Sequence, residues 1–220
     1  MAEGPDSFLD KWRARWPEWA LAEVFVPPAQ RTPLLAWLSL RQELLDAAWG
    51  GSDPRPGEAK LGWWQEELQA WQQGMRRHPL GTVLQAQPAP WGMLAMAVPL
   101  LAATRGQPSP ARLRPVAEAI AAVSAALEPG TVVQPWERVA SGLRAQRMLG
   151  GNEGVDPPGA AASRALLDDW PSGGDTGAPL SARLFDAILR GRVQVRARGG
   201  DGPPARIRTL LAAWRAARGT

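Results

Sequence analysis

Two carboxylates, Glu43 and Asp46, lie close together in a stretch rich in leucine and alanine. Mg²⁺ binds carboxylate oxygens, and a magnesium site needs several of them to converge from nearby side chains. Acids four residues apart on a helix lie one above the other, but the residue at that spacing before Asp46 is Gln42. A single carboxylate is a poor magnesium site. We therefore interpret Glu43 and Asp46 as a solvated or salt-bridged helix face, with Arg41 or Lys60 as candidate partners.

The remaining acidic candidates and the one histidine are interpreted as surface or turn residues. Glu66 and Glu67 are adjacent in a predicted helix, where acids on an exposed face commonly pair with residues one turn away. Asp168 and Asp169 are also adjacent, and adjacent residues do not share a helix face. His78 precedes a proline, which favours a turn or cap role over catalysis.

Helical spacing of apolar residues predicts an all-α fold. Glu43 and Asp46 fall in a helix predicted over 28–49, and a second helix begins after Pro56 and ends at Gly74. Further helices are predicted at 7–16 with Ser7 as N-cap, 19–26, 81–85, 90–105, 110–127, 134–149, 160–170, 181–192 and 205–218. The segment 192–198 is a short strand candidate, and 150–180 predicts a Gly/Pro-rich loop region. The length of 220 residues predicts a single domain over 1–220.

A combination of motifs in the segment 24–71 links the two long helices to a known family. The residues that carry it are, in chain order, Pro27-Pro28, Arg31, the apolar run 34–40, Arg41-Gln42-Glu43 and Trp63-Trp64. This combination resembles the squalene/phytoene synthase family, the all-helical enzymes that join prenyl diphosphates head to head. The resemblance implies an isoprenoid-synthase-type helical bundle, here in shortened form.

Both aspartate-rich motifs of that family are missing. The positions of the first aspartate pair are occupied by Leu45 and Trp49. The second pair would lie on the helix at 134–149, yet no acid occurs between Glu137 and Glu153. That interval carries three arginines instead: Arg138, Arg144 and Arg147.

The missing acids decide between the functions that the resemblance implies. We expect a protein without prenyltransferase activity or a cofactor, acting as a scaffold, an assembly factor or a prenyl-lipid binder. The family includes such members, among them a respiratory complex I assembly factor with similarly eroded motifs. The alternative is an active, Mg²⁺-using transferase of isoprenoid biosynthesis. A nucleic-acid-binding protein is disfavoured because the arginines are scattered over every predicted helix.

The resemblance also implies where a ligand would bind. The candidate ligand-binding residues are Arg31, Arg41, Asp46, Trp63, Trp64, Arg144 and Arg147. The two tryptophans can line an isoprenoid cavity, and they can pack the second long helix against the first. The two roles are compatible with each other. Arginines of the helix at 134–149 can hold diphosphate through charge-assisted hydrogen bonds. An apolar groove is expected among the helices at 28–49, 56–74, 90–105 and 134–149.

The composition and the last predicted helix limit where the protein is expected to be located and what it is expected to bind. The chain has no cysteine and one histidine, which excludes disulfides, thiolate metal sites and histidine clusters. The longest apolar run, near 93–103, is interrupted by Pro99, and the acidic N-terminus lacks a signal-peptide apolar region. We expect a cytoplasmic protein. The helix at 205–218 is basic and amphipathic, so contact with anionic lipid at the inner membrane face, or with an acidic protein, is the alternative to a solvated helix.

Overall fold

Eleven α-helices account for most of the chain, and the computed structural model describes residues 4–106, 108–150, 159–172 and 176–219. The helices are α1 (Pro5–Arg15), α2 (Trp19–Ala22), α3 (Pro28–Trp49), α4 (Arg55–Gln72), α5 (Gly81–Leu84), α6 (Trp91–Ala97), α7 (Pro110–Leu127), α8 (Trp136–Leu149), α9 (Ala160–Asp168), α10 (Leu180–Ala197) and α11 (Arg206–Arg218). Two 3₁₀ segments occur at Glu23–Phe25 and Val98–Thr104. These described residues contain no strand, which confirms the all-α prediction.

Proline marks most of the helix starts. Pro28, Pro56 and Pro110 occupy the first or second position of α3, α4 and α7. The missing N–H costs nothing there, because that group has no partner within a helix. Pro135 and Pro179 immediately precede α8 and α10. The helix starts predicted from these prolines are confirmed to within a residue or two.

Three local predictions are wrong. Ser7 is not an N-cap: α1 begins at Pro5, and the Ser7 hydroxyl donates to the Gly4 carbonyl at 3.0 Å. The single helix predicted at 90–105 is α6 followed by a 3₁₀ segment, because Pro99 cannot donate to the α-helical ladder. The strand candidate at 192–198 lies almost entirely within α10, where Val193 and Ala197, four residues apart, are both buried. Parts of the predicted loop region, at 151–158 and 173–175, lie outside the described residues.

The helix α3 forms the centre of the molecule, because every residue from 34 to 49 except Asp46 is buried. It packs against α1, α4, α5 and the Val98–Thr104 segment. Indole N–H groups tie it to its neighbours: Trp37 Nε1 donates to Ser124 Oγ of α7 at 3.0 Å, and Trp49 Nε1 donates to Thr104 Oγ1 at 2.9 Å. Each contact satisfies a polar atom that burial would otherwise leave unpaired.

Tryptophan side chains fill the region where α3, α4 and α6 meet. The ring centroids of Trp37 and Trp91 lie 6.1 Å apart, and those of Trp71 and Trp91 lie 5.1 Å apart, both edge to face. All three side chains are buried. The apolar groove predicted among these helices is therefore occupied by the protein's own indoles at this point.

Candidate functional site

Two ammonium groups hold the carboxylate of Glu43. Lys11 Nζ of α1 lies 2.7 Å from Oε1, and Lys60 Nζ of α4 lies 2.8 Å from Oε2. The Glu43 side chain is only 7% exposed. Burial raises the pKa of Glu43, but the hydrogen bonds from the two lysines outweigh it and hold that pKa below its ordinary value. The carboxylate is thus charged, and both of its oxygens are already bound.

Asp46 is held in the same way by a different cation. Arg15 Nη1, at the end of α1, donates to Oδ1 at 2.8 Å and to Oδ2 at 3.2 Å. Gln42 Nε2 adds a third bond to Oδ1 at 2.9 Å, and Gln42 Oε1 in turn accepts from Trp16 Nε1 at 3.2 Å. The salt-bridged interpretation of this face is confirmed, with Lys60 as a predicted partner of Glu43. Arg15 and Lys11 were not among the predicted partners.

A cavity of about 360 Å³ lies beside these ion pairs, between α1, α3 and α10. Its walls combine aromatic rings, among them Trp12 and Trp16, with the paired charges of Lys11 and Arg15. Arg192 of α10 completes the wall and is itself paired with Glu18 through bonds of 2.6 and 2.7 Å. Its guanidinium carbon also lies 4.3 Å from the Trp16 ring centroid. Each cation that lines this cavity is therefore paired with a carboxylate of the protein.

Arg41 is a buried cation of a different kind. Its guanidinium lies near the rings of Trp37 and Phe185, at 5.9 and 5.8 Å from their centroids. Its Nε has no hydrogen-bond partner, and no carboxylate of the described residues lies within ion-pair distance of it. Burial lowers the pKa of Arg41 to about 10. The adjoining cavity of about 20 Å³ has room for roughly one water molecule.

The other predicted ligand-binding arginines do not converge on one site. Arg31 Nε donates to the Val26 carbonyl at 3.0 Å, and it lies about 22 Å along α3 from Asp46. Arg144 Nη2 reaches the exposed Asp169 at 3.5 Å. Asp46 and Arg147 line one cavity together, a space of about 80 Å³.

Arg147 is bound to the protein's own backbone. Its Nη2 donates to the Arg105 carbonyl at 3.2 Å, and its guanidinium lies 6.0 Å from the Trp49 ring centroid. Burial and the nearby Arg105 guanidinium lower the pKa of Arg147. Arg105 itself donates to the Ala48 and Gly50 carbonyls at 3.1 and 2.8 Å, so it caps the end of α3.

Trp63 and Trp64 make packing contacts. Trp64 is fully buried and Trp63 partly so. Their ring centroids lie 5.1 Å apart. The ring of His78 lies 4.5 Å from that of Trp64 and 5.9 Å from that of Trp63. Phe8 of α1 covers the other side of His78 at 4.6 Å. The tryptophans therefore pack α4 against the segment that follows it and against α1.

The interpretation of Glu67 as a solvated acid is wrong. Its side chain is fully buried and accepts hydrogen bonds from the backbone N–H groups of Arg77 and His78 at 2.7 and 2.8 Å. Trp71 Nε1 and Arg77 Nε donate to the same carboxylate at 2.9 and 3.1 Å. Burial raises the pKa of Glu67, and these four bonds bring it below its ordinary value. Glu66, at 70% side-chain exposure, is solvated as predicted.

His78, Asp168 and Asp169 agree with their predicted roles. His78 Nδ1 accepts from the Leu80 N–H at 3.1 Å, which is a turn contact. Both aspartates are exposed. Within the described parts of the chain, no group of three or more His, Asp or Glu side chains is placed to hold a metal ion.

A basic groove lies between α10 and α11 and is missing from the predicted sites. Its volume is about 570 Å³. Six arginines line it: Arg138, Arg183, Arg190, Arg198, Arg208 and Arg215. Asp186 lies among them. The sequence does contain a signal for this groove, because Arg183 and Arg190, and likewise Arg208 and Arg215, are seven residues apart and so share a helix face.

The outer face of α11 is apolar and exposed. Ile207, Leu210, Leu211 and Trp214 are between 43% and 70% exposed. These four positions fall within an arc of about 100° around the helix. The opposite face, with Thr209 and Ala213, packs on the rest of the protein. We call the four exposed side chains the α11 apolar stripe.

Comparison with protein-family models, with curated proteins and with solved structures gives no match to this chain. The resemblance to the squalene/phytoene synthase family therefore rests on the motif residues alone. In the described residues, no helix combines the length and the apolar character needed to cross a membrane.

His78 predicts a pH dependence of stability. The pKa of His78 is lowered from 6.5 to about 4, chiefly by burial; the charges of Glu43 and Glu67 raise it and that of Lys60 lowers it. As the pH falls through 6.5, the unfolded chain binds a proton that the folded chain does not. The free energy of unfolding should therefore decrease from pH 7 to pH 5 in the wild type. His78→Gln, which keeps an acceptor for the Leu80 N–H, should flatten this slope in urea titrations. Equal slopes in both proteins would show that His78 is readily protonated in the fold.

Arg41→Met is expected to stabilise the protein. A buried guanidinium without a carboxylate partner carries a desolvation cost that an apolar side chain of similar length avoids. The thermal midpoint should rise, by about 2–4 °C for each kcal/mol gained in a chain of this size. Arg112→Met, at an exposed position of α7, is the matched control and should change the midpoint little. A lower midpoint for Arg41→Met than for the control would reveal a required interaction of Arg41.

Proposed function

We propose that this chain is a non-catalytic squalene/phytoene synthase-like protein that acts as a scaffold, an assembly factor or a prenyl-lipid binder. One observation carries the proposal. The two acids of α3 that could bind Mg²⁺ are each bound by cations of the protein itself, Glu43 by two lysines and Asp46 by Arg15.

These ion pairs oppose metal binding for electrostatic reasons. A magnesium ion would have to displace an ammonium or guanidinium group that lies 2.7–2.8 Å from a carboxylate oxygen. The displaced cation would remain tethered nearby and repel the metal. Ionisation of an allylic diphosphate needs metal ions to stabilise the departing charge, so this arrangement supports binding without turnover.

Turnover is tested with the pure protein, farnesyl or geranylgeranyl diphosphate, and Mg²⁺. Losing one electrostatic element of this type typically slows a reaction by about two to three orders of magnitude, and both acid pairs are missing here. Pyrophosphate release should equal the rate without protein, with an active squalene synthase as the positive control. A C30 or C40 product formed at about one turnover per minute or faster would establish the alternative, an active transferase.

The α11 apolar stripe favours a second function, peripheral binding to anionic membranes at the inner membrane face. Four large apolar side chains are exposed on one helix face, and Arg206, Arg208, Arg215 and Arg218 lie on the same helix. Val24, in the 3₁₀ segment packed beside α11, is also 61% exposed. Helices with this pattern lie in the membrane interface, where apolar residues enter the acyl boundary and arginines contact lipid phosphates.

Membrane binding is tested by co-sedimentation with vesicles of phosphatidylcholine alone or with phosphatidylserine. The double variant Ile207→Ser and Trp214→Ser should weaken binding to the anionic vesicles by about tenfold or more, because it removes two large exposed apolar side chains that would enter the membrane. Met96→Ser removes a similarly exposed apolar residue from α6 and should leave binding unchanged. Equal affinity of the double variant and the wild type would exclude this role for the stripe.

A further inference from the structure

The groove between α10 and α11 has the size and shape of a ligand site. Its volume of about 570 Å³ falls within the range of small-molecule pockets. One wall comes from the α10 face that carries Arg183, Asp186 and Arg190, and the other from the α11 face that carries Arg208 and Arg215. Both walls belong to helices that are well packed on each other, so the groove is a fixed part of the fold.

The charge of the groove is strongly positive, and carboxylates of the described residues compensate only part of it. Asp186, its acidic residue, lies 3.3 Å from Arg138. Throughout the described segments, no carboxylate lies within ion-pair distance of Arg190, Arg198, Arg208 or Arg215. This contrasts with the cavity beside α3, where each lining cation is paired with a carboxylate.

Two of the guanidinium groups are partly desolvated and retain unused donors. The Nε atoms of Arg183 and Arg190 are buried and have no hydrogen-bond partner. Arg183 is positioned by a bond from its Nη1 to the Ala216 carbonyl at 2.6 Å, and Arg190 lies 5.6 Å from the Trp170 ring centroid. A buried donor without a partner is costly. The Nε atoms are closed to solvent, so an acceptor in the groove would bind the Nη groups of these two side chains.

The start of α11 adds further donors at the edge of the groove. Ala205, the N-cap residue, lines the groove and has no side chain that could accept from the first-turn N–H groups. These N–H groups and the positive end of the helix dipole favour an anion. The planar guanidinium group of arginine can donate two parallel hydrogen bonds to two oxygens of one phosphate. Phosphate is therefore the anion that the arginines and N–H groups of this groove fit best.

We propose that the α10–α11 groove binds a ligand through a phosphomonoester or diphosphate group, held by Arg183, Arg190, Arg208 and Arg215 without a metal ion. The proposal does not depend on whether the protein catalyses a reaction or inserts the α11 apolar stripe into a membrane. The phosphate group can belong to a soluble molecule or to a lipid headgroup, and the experiment separates the two sources.

The test is calorimetric titration of the full chain with sodium pyrophosphate in the absence of divalent cations. The wild type should bind saturably at one site. The double variant Arg190→Gln and Arg208→Gln should lose about tenfold or more in affinity. Arg76→Gln with Arg112→Gln removes the same charge from exposed positions outside the groove and should retain wild-type affinity. Thermal midpoints of both double variants establish that they are folded.

A second measurement, binding to lipid vesicles, tests whether the phosphate group belongs to a lipid headgroup. Phosphatidic acid presents a phosphomonoester and phosphatidylserine does not, so the two are compared at equal surface charge. One outcome assigns the groove to a lipid headgroup. The wild type then prefers phosphatidic acid and binds pyrophosphate weakly, and the preference disappears in the double variant Arg190→Gln and Arg208→Gln. Pyrophosphate binding of the wild type with no such preference assigns it to a soluble phosphate compound. The proposal fails if the groove variant and the control variant behave alike in both arms.

Discussion

The central helix α3 carries charged side chains into the interior, where a charge without a partner costs several kcal/mol. Glu43 meets this constraint by accepting hydrogen bonds from the ammonium groups of Lys11 on α1 and Lys60 on α4. A single carboxylate therefore joins three helices. Asp46 and Arg15 make a second link between α1 and α3. The positions of α1 and α4 on α3 therefore depend on the ion pairs that bind these two acids.

Tryptophan supplies much of what holds the remaining helices to this centre. Its ring fills space between helices, as Trp91 does against Trp37 and Trp71, and its N–H reaches a polar atom on a neighbouring element. Trp37 and Trp49 each use that N–H to bind a hydroxyl on another segment. The rings also contact arginines, which lets cations lie near the core without a carboxylate at every position.

Local sequence signals predicted the helices well, because prolines at helix starts and glycines at helix ends act within a few residues. They predicted the site poorly, because its contacts join distant residues. Lys11 and Glu43 are 32 positions apart. Glu67 follows the pattern of an exposed helix acid, and it is buried because the chain beyond α4 folds back and presents the N–H groups of Arg77 and His78 to it. The arginines of the α10–α11 groove could have been found from their seven-residue spacing, but their convergence depends on how α10 and α11 pack.

The bond between Glu18 and Arg192 spans 174 positions of the chain. During translation, at about 5–20 residues per second, roughly 10 to 35 s separate the synthesis of these two residues, and Glu18 lacks its Arg192 partner in that interval. The aromatic face of α1 also packs against a residue that is synthesised much later, Phe185. The ring centroid of Phe185 lies 5.4 Å from that of Trp12 and 5.1 Å from that of Trp16. The helices α1 and α2 thus reach their final environment only after α10 has been synthesised. Completion of the fold is expected to be a late, cooperative event that leaves the nascent N-terminal half dependent on protection from aggregation.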